Sequence, residues 1–217
     1  MKLTDQAYLE MRNAIINLKM KPGERLDTDQ IGASLGFSRA PVVEALNMLR
    51  AEGLVTSRRR VGTFVSEIGK DQIEDVFDAR EMIEHHVAPI IIHNVSDRQI
   101  EDLAALLETS ADLLDAPTQS EFDYSSFMEL DAQFHSRLIG LSERKIYIKW
   151  FEELAAHMQR VRHLFDGDAL ERSIEGNKEH LRIIAALRGR NTDMLRTEML
   201  NHTRRSHKGA MLTLKAD

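Results

Sequence analysis

The 217-residue chain, 42% hydrophobic and 29% charged, has enough apolar material to bury one or two sizeable cores. It contains no cysteine, which excludes disulfides, thiolate metal sites and cysteine nucleophiles, so any metal must be held by His, Asp or Glu. No apolar run approaches the roughly 18 residues of a membrane span and no basic-then-apolar leader precedes the first helix, so a cytoplasmic location and no membrane partner are expected.

The net charge of −6 argues against a nucleic-acid partner until it is divided along the chain. Residues 1–70 carry eleven Lys/Arg against eight Asp/Glu, whereas the remainder carries 18 against 27. Only the N-terminal part has the sign needed to neutralise phosphates.

In chain order, Tyr8, Met11, Ile15 and Leu18 predict a helix over 3–19, ended by Lys19 to Pro22. A short helix bearing Ile31 and Leu35 follows and is closed by Gly36. Ser38 then stands where an N-cap accepts a hydrogen bond from a first-turn amide, and Pro41 falls where its missing N–H costs nothing. Val42, Ala45, Leu46 and Leu49 recur as one buried helical stripe, which turns Arg39, Ala40, Val43, Asn47 and Arg50 outward. Gly53 ends this helix. Residues 54–56 and 63–65 read as two short strands around a turn with Arg58, Arg59, Arg60 and Gly62. A short helix, a tight turn, a second helix with a polar outer face and a basic hairpin make a winged helix-turn-helix. Its second helix suits the major groove and its hairpin an adjacent groove or the phosphates. From periodicity alone, a small packed domain without any such role is an equal alternative.

A short polar linker over 67–71 marks the expected boundary between a DNA-binding domain at 1–67 and a second domain at 71–217. Beyond it every periodic segment is helical, over 71–92, 97–114, 121–140, 143–165, 169–188 and 191–213, with short polar breaks. Six such helices imply an antiparallel bundle, and the whole chain is expected to be mainly α. Asp131 and His135 lie four apart on one helical face with Leu138. His180 shares its face with Ile183, Ile184 and Leu187, and His202 follows Leu195 and Met199. All four are expected to point into the bundle. Imidazoles and a carboxylate suit zinc, manganese, nickel or iron(II), but separate helices need not bring them together, so packing histidines remain an alternative at this point. Arg80 interrupts the apolar stripe Val76, Ile83 and Val87. A buried guanidinium needs an anion, either an internal carboxylate such as Glu84 or Asp78 or a bound one. His157 shares a face with Val161 and Leu164 and reads as packing, and His85, His86, His93, His163 and His207 have no comparable support.

Pro-Gly-Glu-Arg-Leu at 22–26, Ser-Arg-Ala-Pro-Val-Val-Glu-Ala-Leu from Ser38, and Glu-Gly-Leu-Val from Glu52 with a Gly-containing wing resemble the N-terminal domain of the GntR family of bacterial transcription regulators. The family usually has Arg where this chain has Val43, a departure that bears on operator preference rather than on fold. The C-terminal half resembles the all-helical FCD ligand domain of the FadR-type branch. Its metal-binding members carry Asp-x-x-x-His on one helix and one His on each of two later helices. Asp131, His135, His180 and His202 fill those positions. The resemblance implies a divalent metal, zinc first and nickel, manganese or iron as alternatives, with Arg80 beside it holding a small organic acid effector. It also implies a homodimeric regulator, a repressor by preference, that binds a double-stranded DNA operator. Ser38, Arg39, Ala40 and Asn47 would act from the reading helix and Arg59, Arg60 and Gly62 from the wing. The competing readings are a metal-dependent hydrolase, against which no general base is spaced near the ligands, and a regulator whose metal is purely structural.

Overall fold

The computed structural model describes residues 1–163 and 169–214, which form two compact units. The first runs from Met1 to Gln72 and takes in the C-terminal turns of a later helix from Ala156 onward. The second holds Ile73–Ala155 and the helices that follow. The expected division at 67–71 cuts the chain once, whereas contacts in space also assign the later stretch to the first unit.

In the first unit α1 (Leu3–Ile16) buries Ala7, Met11, Ile15 and Ile16, so its stripe is shifted slightly from the expected one, with Tyr8 only half-buried. A two-residue strand β1 (Arg25–Leu26) precedes α2 (Thr28–Leu35), which Asp27 caps by accepting from the amides of Asp29 and Gln30. Gly36 ends α2 at φ +75° with open space where a Cβ would stand, so backbone conformation rather than crowding demands glycine there. Helix α3 (Arg39–Ala51) buries Val42, Ala45, Leu46 and Leu49 and exposes Arg39, Ala40, Val43, Asn47 and Arg50, as the stripe requires. Ser38 occupies the N-cap with extended backbone, but its side chain makes no capping bond, contrary to expectation. That leaves the hydroxyl at the surface of the helix start.

The hairpin is β2 (Val55–Arg58) and β3 (Gly62–Val65), antiparallel with Thr56 opposite Phe64. Strand β1 pairs with the other edge of β3, giving the order β1-β3-β2. Arg60 takes the left-handed turn conformation at φ +63°, and Gly62 follows with φ +141°, which also suits glycine. A side chain in that conformation at Arg60 costs about 1 kcal/mol or more.

The helix that contributes to the first unit from Ala156 is α7 (Lys145–Arg162); residues 164 and 165 of the expected 143–165 helix, Leu164 among them, lie outside the described residues. Ala156 joins the core of α1 and α3, and His157 Nε2 donates to the carbonyl of Glu52, the C-cap of α3, at 2.9 Å. Glu52 also accepts from Tyr8 Oη at 2.5 Å and Arg12 Nε at 3.0 Å. Burial first, then the nearby Arg160, lowers the His157 pKa below its ordinary 6.5, against the hydrogen bond to Glu52, which raises it. The folded state therefore holds His157 neutral while the unfolded chain takes up a proton as pH falls through 6.5. Stability supplied by this group is complete above that pH and drains away below it. In urea melts between pH 8 and 5, His157→Gln should flatten the acid-side loss by up to about 1.4 kcal/mol per pH unit relative to wild type. Identical slopes in the two proteins would show that His157 carries none of it.

The second unit comprises α4 (Lys70–Asn94), α5 (Asp97–Leu114), α6 (Tyr124–Gly140), the first part of α7, α8 (Ala169–Arg188) and α9 (Thr192–Thr213). Their starts are set locally. A Ser96–Gln99 capping box opens α5, Asp123 caps α6, and Asn191 caps α9. α5 packs on α6 and α8, and α8 on α9, around Ile83, Val87, Ile91, Leu103, Phe134, Leu138, Ile183, Ile184, Leu187, Leu195 and Met199. Each such side chain supplies about 1.5–3 kcal/mol by leaving water. The chain is thus a winged helix-turn-helix followed by a helical bundle, and among the described residues no helix is long and apolar enough to cross a membrane.

Candidate functional site

Four inward-facing residues meet in the bundle. Helix α6 brings Asp131 and His135 one turn apart on its buried face, α8 brings His180, and α9 brings His202, all at most 7% exposed. One ring nitrogen from each histidine lies within 4.8 Å of the other two. The Nε2 atoms of His135 and His180 are 3.2 Å apart, and Asp131 places its oxygens 3.7 Å from His180 Nε2 and 3.9 Å from His135 Nε2. A tetrahedral ion with ligands at 2.0–2.1 Å separates its ligand atoms by about 3.3–3.4 Å. The distances that join His135, His180 and Asp131 depart from this by about 0.1 to 0.6 Å, so this donor set fits a small divalent ion after modest adjustment. Phe134 packs against His180 with ring centroids 4.4 Å apart, which restricts the imidazole on its apolar side.

Charged groups surround the cluster. Arg80 of α4 is fully buried, donates from Nε to Glu84 at 2.6 Å, and sets Nη2 3.2 and 3.4 Å from the two ring nitrogens of His135. Glu84 in turn accepts from the Thr203 hydroxyl at 2.6 Å, beside His202. The internal carboxylate anticipated for Arg80 is thus Glu84, while its Nη2 faces His135. Glu179, adjacent to His180, accepts from His202 Nδ1 at 2.8 Å and from Arg205 Nε at 2.6 Å. Sequence reasoning passed over Glu179 and Thr203. The available signal was an acidic residue on the edge of the apolar stripe through His180, a position that must be paired if it is buried.

On the first unit, Ser38, Arg39, Ala40 and Asn47 are exposed along the start and outer face of α3, and Arg59 and Arg60 are exposed at the wing tip with Gly62 half-buried beside them. Arg39 lies 3.2 Å from both oxygens of Asp29, an exposed pair that a phosphate or base can displace at little cost. Asn47 accepts from Arg50 at 2.9 Å, which joins two outward positions of the helix. Arg58 is set apart from its neighbours by lying over the Phe64 ring at 4.7 Å, so it braces the wing.

Residues 3–65 match the bacterial regulatory proteins of the gntR family, and residues 75–205 match the FCD domain. The chain is 26% identical over 187 residues to the Nta operon transcriptional regulator of Aminobacter aminovorans, covering 86% of this chain and 84% of that protein. It is 27% identical over 201 residues to the HTH-type transcriptional repressor RspR of Escherichia coli, covering 92% and 85%. The solved structure of E. coli McbR/YncC shares the fold over the full length of both chains, with a TM-score of 0.82 at 22% identity. The two sequence relatives are named transcription regulators and the N-terminal match is to a family of regulatory proteins, which favours the regulator over the hydrolase alternative. The reading helix and wing at the front, the helical unit behind, and both family matches lead to one conclusion: the chain belongs to the GntR family of DNA-binding transcription regulators, in the branch that carries an FCD domain.

Proposed function

We propose that the protein is a homodimeric repressor whose hold on its operator is released when a small carboxylic acid binds at a divalent metal in the helical unit. The observation that carries this reading is the convergence of three buried imidazoles, with a buried arginine against one of them. Asp131, His135, His180 and His202 hold the ion, with zinc favoured by the nitrogen-rich set and nickel, manganese or iron(II) as alternatives. The ion supplies a Lewis-acidic position for one effector oxygen.

Arg80 supplies the second contact. A neutral imidazole has one lone pair, and once His135 spends it on a cation neither ring nitrogen can accept from Arg80. The guanidinium then turns its fork to a new acceptor while Glu84 keeps Nε, and a carboxylate matches that fork. Metal and effector are therefore expected to bind together, the first preparing the second.

At the operator, Arg39 contacts bases or phosphates near the start of the reading helix, Asn47 reaches an adenine edge, Ser38 and Ala40 approach the backbone or bases, and Arg59, Arg60 and Gly62 follow the neighbouring groove. Two copies read a palindrome, because one small reading helix gives limited affinity. The effector acts only through a difference in its affinity for the operator-bound and released arrangements, and this coupling is reciprocal.

The test combines metal analysis of the purified protein with a thermal-shift screen of small carboxylic acids and an operator-binding assay. Expected are one ion per chain, stabilisation by a subset of acids only when metal is present, and a 5- to 150-fold loss of operator affinity with the active acid, a typical coupling of about 1–3 kcal/mol. Chelation that lowers the melting temperature yet leaves the acid response intact would assign the metal a structural role instead.

A further inference from the structure

We infer that Glu179 is a positioning residue of the metal centre, holding His202 as the Nδ1–H tautomer so that Nε2 is the nitrogen presented to the ion. This rests on the metal reading above. Glu179 and His180 are consecutive on α8 and so project about 100° apart. One enters the cluster and the other turns toward α9. Glu179 is buried, 6% exposed, and both its oxygens are engaged on a single turn of α9: Oε2 by His202 Nδ1 at 2.8 Å and Oε1 by Arg205 Nε at 2.6 Å. An ionised carboxylate only accepts, so the proton of that first bond sits on Nδ1 and the lone pair on Nε2. Arg205, three residues beyond His202, keeps the carboxylate from swinging away.

The same turn of α9 is pinned from another side, where Thr203 donates to Glu84. His202 is thus oriented through its own ring by Glu179 and through its neighbour by the carboxylate that also holds Arg80. A carboxylate behind a ligating imidazole makes the opposite nitrogen a stronger donor and removes the entropy of choosing a tautomer at the moment of binding. Glu179 is not a ligand itself, since its oxygens are engaged by His202 Nδ1 and Arg205 Nε.

The test uses the full-length protein and two readouts. Long-range nitrogen–proton correlation spectra of metal-free protein report the His202 tautomer, assigned by its loss in His202→Gln. Competition with a chelating dye reports affinity for zinc(II) and nickel(II). Glu179→Ala should release His202 from the Nδ1–H form and weaken zinc(II) about 10- to 100-fold, whereas Glu179→Gln, which keeps an acceptor oxygen, should retain the tautomer and lose about 3- to 10-fold. If Glu179→Ala does not fold, Glu179→Gln decides on its own: zinc(II) affinity within twofold of wild type overturns the inference. With both variants folded, an unchanged tautomer and an affinity within twofold in Glu179→Ala overturn the inference and leave the metal reading standing. Absence of zinc(II) and nickel(II) binding by the wild type overturns both.

Discussion

His180→Gln should lose metal by more than about 100-fold, beyond the range expected for an outer partner, and lose the effector response with it. His180 is 1% exposed, packs on Phe134, and stands within reach of both His135 and Asp131, so it is held among the other ligands. Glutamine approximates the volume and keeps polar atoms, which limits the cavity cost that alanine would add. Metal content by mass spectrometry and melting temperature without metal separate the two effects. The expected result is an empty variant whose metal-free melting point lies within a few degrees of wild type. A variant that still retains one tightly bound ion per chain would show that the ion sits elsewhere. A repressor in this state should remain on its operator whatever acid is added, because the released arrangement has lost the ligand that favours it.

Arg39→Ala should weaken operator binding about 10- to 100-fold per reading head, the equivalent of roughly 1–3 kcal/mol for a lost bidentate base contact. Arg39 is exposed at the first position of α3 and paired with the exposed Asp29, so its removal takes nothing from the core. Metal content and melting temperature should accordingly stay at wild-type values. The salt dependence tells what kind of contact was lost. If Arg39 reads a base, discrimination between operator and random DNA falls; if it meets a phosphate, affinity drops uniformly and the salt slope shrinks by about one per head. Unaltered affinity for both DNAs would remove Arg39 from the interface altogether. Double substitution of Arg59 and Arg60 is the comparison of the second kind, since two wing-tip cations are expected to act mainly through the backbone.

Helix-level features were legible because they repeat within a few residues. The stripe Val42, Ala45, Leu46 and Leu49 specifies which face of α3 is buried, and Asp131 and His135 are brought onto one face by the 3.6-residue turn alone. The limits of α5 match the expected 97–114, because polar breaks and capping residues are local signals as well. Strand β1 escaped notice since two residues leave no alternation to detect, and its pairing with β3 is a property of the partner. The missing Ser38 cap has the same character: occupancy of the position is local, but where the hydroxyl turns is not.

By itself the amino-acid order determined a cationic winged head, an acidic helical remainder, and four candidate ligands each turned inward. Chain folding in three dimensions decided whether those ligands meet, since His135, His180 and His202 stand 45 and 22 positions apart on α6, α8 and α9 and no period links them. It also decided that Glu84 is the partner of Arg80, that Glu179 stands behind His202, and that His157 belongs with the core of α1 and α3. The physical reason is the range of the constraint: helix periodicity sets direction within a few ångströms of the axis, while coordination and ion pairing depend on packing between elements that only burial of the shared core brings to a common point.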